Sequence, residues 1–379
     1  MQKSYKLHGV HKHYDWGGTQ FIPNLLKINN AELKPFAEYW MGAHPSAPAQ
    51  IETPHGLSSM LNVGTIPYLF KVLDVAKMLS IQVHPSKENA ILGFEIEQLA
   101  GIAINAPNRN YKDQNHKPEV MVALSDFWLL HGFLPPELLS LRLQEFTYFH
   151  SLQEYFMGAD YKKLYQFFMQ LSTEAADTIL YPLMIDAVNS VKMGKVDKSH
   201  PHWWANKYYN GVVPEKNIDK GIFSIYILNI VQVEKYHGVF QGAGLLHAYL
   251  EGQNIELMAN SDNVLRGGLT PKHIDINELI KHVLFEPTYP NVLVGEQLNQ
   301  HETFFPCPVA DFGLSKIAIK AGESYTIVSN SIEMLLVLEG QVEIDGLLYN
   351  PGEVAMVTAL QSLSILAKAT AVLFKSFVP

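Results

Sequence analysis

The sequence predicts a mainly β protein interrupted by one helical insertion. Three observations lead there: short apolar runs bounded by turn residues up to Phe133, a turn-poor stretch with helical periodicity from Glu137 to about Met193, and a return of strand alternation over the last ~90 residues. In the first region Ile66–Leu73 and Leu79–His84 are β-type runs, followed by Glu119–Leu124 and Phe127–Phe133. Short strands this closely spaced suit a sandwich or barrel.

After Pro135-Pro136 apolar side chains recur at steps of three and four. Leu138, Leu141 and Glu145 mark one helical face, Tyr161, Leu164, Phe168 and Leu171 another, and Ile179, Leu183, Ala187 and Val191 a third. Ser172-Thr173-Glu174 reads as a helix cap. A further helical stretch is expected over 221–233, so the insertion spans 137–233. Strand texture resumes at Gly238-Val239-Phe240. Ser315–Lys320 and Gln341–Gly346 alternate cleanly, with Gly322, Gly340, Gly346 and Gly352 at turn positions.

Composition narrows the class. With 379 residues, two or three domains are expected; 47% hydrophobic and 17% charged residues are globular values that exclude collagen-like and low-complexity chains. The single cysteine, Cys307, cannot form an intramolecular disulfide and suits a reducing compartment. No uninterrupted apolar run approaches the ~18 residues of a membrane span, and the first residues lack the apolar core of a signal peptide. A soluble, cytoplasmic protein is therefore expected. A formal charge of −9 argues against nucleic-acid binding, yet leaves room for a few Lys or Arg converging on one phosphate.

Several segments carry groups able to do chemistry. Gln82 and His84 stand two apart on a predicted strand, so both project from one face and can present an amide oxygen and an imidazole nitrogen to one ion; a half-buried strand with ordinary polar neighbours has the same pattern. In the polar segment Tyr111–Glu119, Pro118 fixes the backbone before a strand that Glu119 opens, with Lys117 beside it; a loop with a surface ion pair is the structural alternative. Gly242-Ala243-Gly244 feeds His247, but no Gly-Lys-Ser/Thr follows, so this is no phosphate loop. The run Ile255–Lys272 then brings Glu256, Asp262, Arg266 and Lys272 into a short stretch. Two His, one Glu and one Gln suit Zn²⁺, and the same set without Gln also fits an Fe(II) facial triad. Neither a Gly-x-Ser-x-Gly elbow nor a dinucleotide fingerprint is present.

At these residues the sequence resembles the type I mannose-6-phosphate (phosphomannose) isomerases. The shared motifs are Tyr14-Asp15-Trp16-Gly17, Ala37–Pro45, Leu79–Pro85, Asn115-His116-Lys117-Pro118-Glu119, His247-Ala248-Tyr249 and Ile255–Lys272, in order over about the first 280 residues. One departure is Gly267, where the family usually has Ala. The resemblance implies a cupin-like β-barrel (jelly roll) catalytic domain over 1–136 plus 234–285, the helical insertion at 137–233, and a second cupin-like β domain at 286–379. It implies one zinc ion per chain held by Gln82, His84, Glu119 and His247. Arg266 would be an active-site residue, and Lys71, Ser80 and Lys117 would face the substrate, joined by Trp16, Glu38 and Tyr249. Glu256 is the candidate base; Asp262 and Lys272 are candidates for opening the sugar ring.

The implied reaction interconverts mannose 6-phosphate and fructose 6-phosphate by moving a proton between C1 and C2 through an enediol, which needs a base and positive charge near the developing oxyanion. An Fe(II) oxygenase using His84, Glu119 and His247 is the alternative from another enzyme class, and must explain Gln82 where a position should stand open. A non-catalytic sugar-binding cupin is the third reading, and leaves the Glu256–Lys272 cluster idle. A small-molecule sugar phosphate is the expected partner, with no nucleic acid or membrane, and the chain is expected to be a monomer.

Overall fold

The computed structural model describes residues 3–64 and 66–379. Its strands form two large antiparallel sheets. The first runs in the order Leu228–Val233, Phe127–Phe133, His247–Ala259, Tyr68–Val75, Glu38–Gly42, Val10–Lys12; Ile81–Val83 and Glu119–Ala123 branch from its long central strand, and carry Leu265–Gly268 and Gly238–Gln241 respectively. Among the described residues neither sheet's strand path returns on itself, so the expected barrels take the form of open, folded antiparallel sheets.

The central strand His247–Ala259 positions the site. Its first part pairs with Ile81–Val83 and Phe127–Phe133, and its second part with Tyr68–Val75 and Glu119–Ala123. The change of partners falls at a register shift between Tyr249 and Glu251, next to Gly252 at φ 123°. A Cβ at Gly252 would stand 2.8 Å from the Asp126 carbonyl oxygen, so only glycine fits this turn of the strand. One strand thereby contributes His247 and Glu256 to the same interior.

The second sheet holds the C-terminal segment around its long strands Glu333–Ile344 and Gln361–Phe377. Asp345 and Gly346, both at positive φ, make the tight hairpin from Ile344 to Leu347. Two details depart from expectation. The N-terminal strand Ser4–His8 pairs with Val354–Val357, and the Gln50–Ser59 hairpin follows it, so early residues complete the C-terminal sheet. The expected helix over 221–233 ends at Ile227; Leu228–Val233 is a strand bonded to Phe127–Phe133, where a β-branched run finds an open sheet edge.

The helical insertion begins at Pro136–Glu145 and includes Tyr161–Gln170, Thr173–Lys192 and Pro201–Tyr208. Ser172 caps the longest helix, its side chain accepting from the Ala175 N–H at 3.2 Å as expected. Leu164, Phe168, Leu183 and Ala187 are buried, but the first helix buries Leu139 and Leu143 and exposes Leu138 and Leu141. These helices share a core with Leu130 and Leu265 of the first sheet and with Leu246 just before its central strand, which fixes one wall behind the site. Gly267 belongs to that contact: the Tyr165 hydroxyl lies 2.9 Å from where its Cβ would be, so the helical unit fills the space an alanine methyl would need.

Candidate metal centre and active site

Strand register assembles the site from distant segments. Arg266, Gln82, His247 and His131 are successive cross-strand partners and form one row on a common face. Trp40, Lys71 and Glu256 form a second row. Glu119, opening its strand, lies opposite Met258 and Gln241.

His84, Glu119 and His247 converge, each offering a ligand atom within 4.8 Å of the others. The Nε2 atoms of His84 and His247 stand 3.4 and 3.5 Å from the two carboxylate oxygens of Glu119. Each imidazole gives its Nδ1 to a backbone carbonyl, His84 to Asn263 at 2.8 Å and His247 to Leu245 at 2.9 Å. With the Nδ1–H donated, each Nε2 lone pair faces the cluster, which is the tautomer a metal ligand needs. Both Nε2 atoms and one Glu119 oxygen are buried without a hydrogen-bond partner, a costly state that a bound cation relieves. Burial brings the His84 pKa down to about 4, so its lone pair stays available at neutral pH. Burial works against the Glu119 charge, but Lys117, 3.1 Å away, and the two imidazoles hold its carboxyl well below the ordinary range. Gln82 is the cross-strand partner of His247 and stands on the same face. This borderline donor set fits zinc.

Beside the metal ligands lies a buried charged network. Lys71 Nζ is 2.6 Å from Glu256, whose other oxygen accepts from the Tyr249 hydroxyl at 2.9 Å. Burial opposes the Lys71 charge, and Glu256, Glu38 and Glu119 more than offset that, raising its pKa. Burial raises the Glu256 carboxyl above its ordinary value, with Lys71 opposing. The Trp40 indole N–H is bonded to Glu38, and Lys71 stands 5.5 Å from the Trp40 ring.

The remaining expected residues sit at different depths. Arg266 is half-buried and Lys272 exposed, and among the described residues neither side chain has a hydrogen-bond or ion-pair partner, so both remain available to an anion. Asp262 is on the rim, its side chain 53% exposed. Ser80 is half-buried, two residues before Gln82. Trp16 does not join the charged network: it stacks on Tyr14 and packs against the cluster containing Val75 and Tyr249.

Sequence reasoning missed Asn263. It is fully buried; its side chain accepts from the Lys112 and Asp113 N–H groups at 2.7 and 3.2 Å and donates to the Asp113 and Asn115 carbonyls, while its own carbonyl holds His84. It thus ties the loop before Glu119 to the loop before Arg266. Its place between Asp262 and Arg266 was the available signal, but an amide there reads as a turn residue. Asn263→Ala keeps the carbonyl that holds His84 but removes the side-chain bonds that fix the loop carrying it, and should weaken zinc binding by roughly tenfold, the low end of what loss of an orienting group costs. Competition against a chromophoric chelator measures this, and parent affinity in the variant would remove Asn263 from the site's support.

Comparison with known proteins agrees with this geometry. Residues 4–136 match the family described as phosphomannose isomerase type I, catalytic domain. Mannose-6-phosphate isomerase of Escherichia coli K12 is 35% identical over 376 residues, covering 93% of this chain and 94% of that protein. The Macaca fascicularis mannose-6-phosphate isomerase is 30% identical over 378 residues, covering 87% and 86%. Among solved structures, zinc-bound mannose 6-phosphate isomerase superposes with a TM-score of 0.86 at 32% identity, and a variant of phosphomannose isomerase from Salmonella typhimurium with 0.87 at 32%; each comparison covers 99% of both chains.

Proposed function

The chain belongs to the type I phosphomannose isomerase family, and from that premise we propose which of its residues carry each step. It is a zinc-dependent isomerase that interconverts D-mannose 6-phosphate and D-fructose 6-phosphate by proton transfer through an enediol. The observation that carries the reading is the buried His84–Glu119–His247 cluster, whose two Nε2 atoms and one carboxylate oxygen have no hydrogen-bond partner among the described residues, set beside the Lys71–Glu256 pair.

His84, Glu119 and His247, with Gln82, hold the metal, which when bound supplies a Lewis acid that orients and polarises sugar oxygens. Glu256 is the base for the proton that moves between C1 and C2, its raised carboxyl suiting the task. Its oxygens are held one by Lys71 and one by Tyr249, which fixes its orientation and leaves each oxygen a further lone pair for the proton. Lys71 and Lys117 then place positive charge near the developing enediolate. Arg266, with a planar fork for two oxygens, and the exposed Lys272 receive the anionic part of the substrate, phosphate or enediolate. Asp262 takes the anomeric hydroxyl proton as the ring opens, with Lys272 as the acid. Ser80, Tyr249 and Glu38 line the sugar site, and Trp16 supports it by packing.

A three-part division of the chain near 137–233 and 286–379, with Leu228–Val233 joining the first sheet and Ser4–His8 and Gln50–Ser59 the second, a cytoplasmic location and a monomeric state complete the proposal; no described helix is long and apolar enough to cross a membrane. An oxygenase has no use for the Lys71–Glu256 pair, and a mere binding protein has none for a base buried beside the metal ligands. A coupled assay for fructose 6-phosphate formed from mannose 6-phosphate tests the reading. Turnover should vanish with a chelator and return with zinc. Chelator-resistant turnover, or none with zinc, would overturn it.

A further inference from the structure

A histidine outside the set above faces one of its members. His44 follows the strand Glu38–Gly42 by two residues and is only 5% exposed. Its Nε2 lies 3.6 Å from the Asp262 carboxylate. On the other side of the ring, Nδ1 accepts the Ser46 backbone N–H at 3.3 Å and stands 2.8 Å from the Ser46 hydroxyl. A nitrogen that accepts a backbone N–H cannot itself carry the proton, so in the neutral ring the proton sits on Nε2 and points at Asp262. Burial lowers the affinity of His44 for a second proton, which keeps this neutral tautomer. The ring is also fixed by packing, edge-on against Trp40 with centroids 5.1 Å apart.

Asp262 needs such a partner. Its backbone is pinned, its N–H donating to Asp113 at 2.8 Å, but its side chain is half exposed. Among the described residues the only polar side chain within ion-pair or hydrogen-bond reach of that carboxylate is His44. Both groups line one cavity of about 630 Å³, with Ser46, Lys112, Asp113 and Ser261. A carboxylate that could rotate freely in that space would hold no defined direction toward a sugar.

We propose that His44 is a positioning residue for ring opening: its Nε2–H, 3.6 Å from one oxygen of Asp262, attracts that oxygen and so aims the other at the anomeric hydroxyl of the bound hexose phosphate. This rests on the reading of Asp262 as the ring-opening base. In that step the O1–H proton passes to Asp262, a C1=O1 double bond forms, the C1–O5 bond breaks with its electron pair going to O5, and O5 takes a proton from the Lys272 ammonium. His44 loses no proton; it holds the base in line and stabilises the orientation in which its free oxygen is the acceptor.

The test follows exchange between the two anomers of mannose 6-phosphate by NMR on the zinc-loaded full chain, which reports ring opening separately from C1–C2 proton transfer. Asp262→Asn should abolish enzyme-catalysed anomer exchange. His44→Phe keeps the ring against Trp40 but removes the N–H, and should slow anomer exchange and kcat by roughly a hundredfold, the size of effect a misplaced catalytic group produces, with KM and zinc content near parent values. His44→Gln returns an N–H at similar reach and should recover most of that loss. The double variant His44→Phe/Asp262→Asn should be no slower than Asp262→Asn alone, because the two act as a unit. Parent-rate anomer exchange in Asp262→Asn would overturn the reading of Asp262. Loss in Asp262→Asn with parent exchange in His44→Phe would overturn the role of His44 alone. Equal loss in the Phe and Gln variants would also overturn it, since a donor would then not matter. If His44→Phe does not fold, the comparison of His44→Gln with His44→Leu in the same assay decides the same question.

Discussion

Replacing His247 by alanine is expected to remove both bound zinc and activity while the C-terminal sheet stays folded. The imidazole is held by the Leu245 carbonyl at 2.9 Å with its Nε2 facing Glu119, so its loss deletes one ligand. Removing a group that merely orients a ligand costs roughly 10–100-fold in affinity, and removing the ligand itself should cost at least about a hundredfold. Without the metal, Glu119 keeps Lys117 at 3.1 Å as counter-ion, so the fold survives the loss of charge. The C-terminal sheet has its own core of Ile317, Leu335, Val337, Ile365 and Leu373, remote from the ligands in sequence and packing. Metal analysis after dialysis, beside a thermal unfolding scan, reads both halves of the expectation. A His247→Ala protein that retained one zinc per chain at parent affinity would take His247 out of the site.

Glu256→Gln is expected to keep zinc and lose most turnover, by about 10²–10⁴-fold, the usual worth of a positioned base. The loss should fall in kcat more than in KM, because the amide is nearly isosteric. The structure adds a second consequence. Glu256 is the buried partner of Lys71 at 2.6 Å, and removing one member of such a pair strands the other, at a cost of about 3–5 kcal/mol. The variant should therefore unfold at lower temperature than the parent, and its activity must be read well below that point. Lys71→Met/Glu256→Gln removes the stranded charge and should recover stability without recovering turnover, which separates the two effects. The decisive readout is exchange of the C2 proton of mannose 6-phosphate with solvent deuterium. Exchange at the parent rate in Glu256→Gln would assign the base elsewhere, with Lys117 the next group to test.

Much of the site was legible because its signals are local. Gln82 and His84 are two apart on a strand and must share a face, whatever the rest of the chain does. Glu119 directly after Pro118, and His247 after a glycine-rich turn, were visible for the same reason, and family motifs joined them into one ligand set. The Ser172 cap and the alternation of the C-terminal strands are likewise short-range patterns, and both appear where expected.

Tertiary structure decided the rest. That Lys71 pairs with Glu256, 185 residues away, follows from the register of two strands that sets them side by side in a buried interior. The role of Asn263, and the approach of His44 to Asp262, depend on loops meeting in space; both lie in shared motifs, but the motifs do not say what each side chain touches. Leu228–Val233 could extend a helix or form a strand by pattern alone, and the free edge of Phe127–Phe133 made it a strand. Leu139 and Leu143 are buried in place of Leu138 and Leu141 because the neighbouring helices, not the periodicity, choose which face is covered. The sequence by itself determined most element types, the turns and the ligand chemistry, all of which act over a few residues. Register, sheet membership and the pairing of buried charges were decided only by the folded whole, since the free energy of each depends on which surface arrives to exclude water.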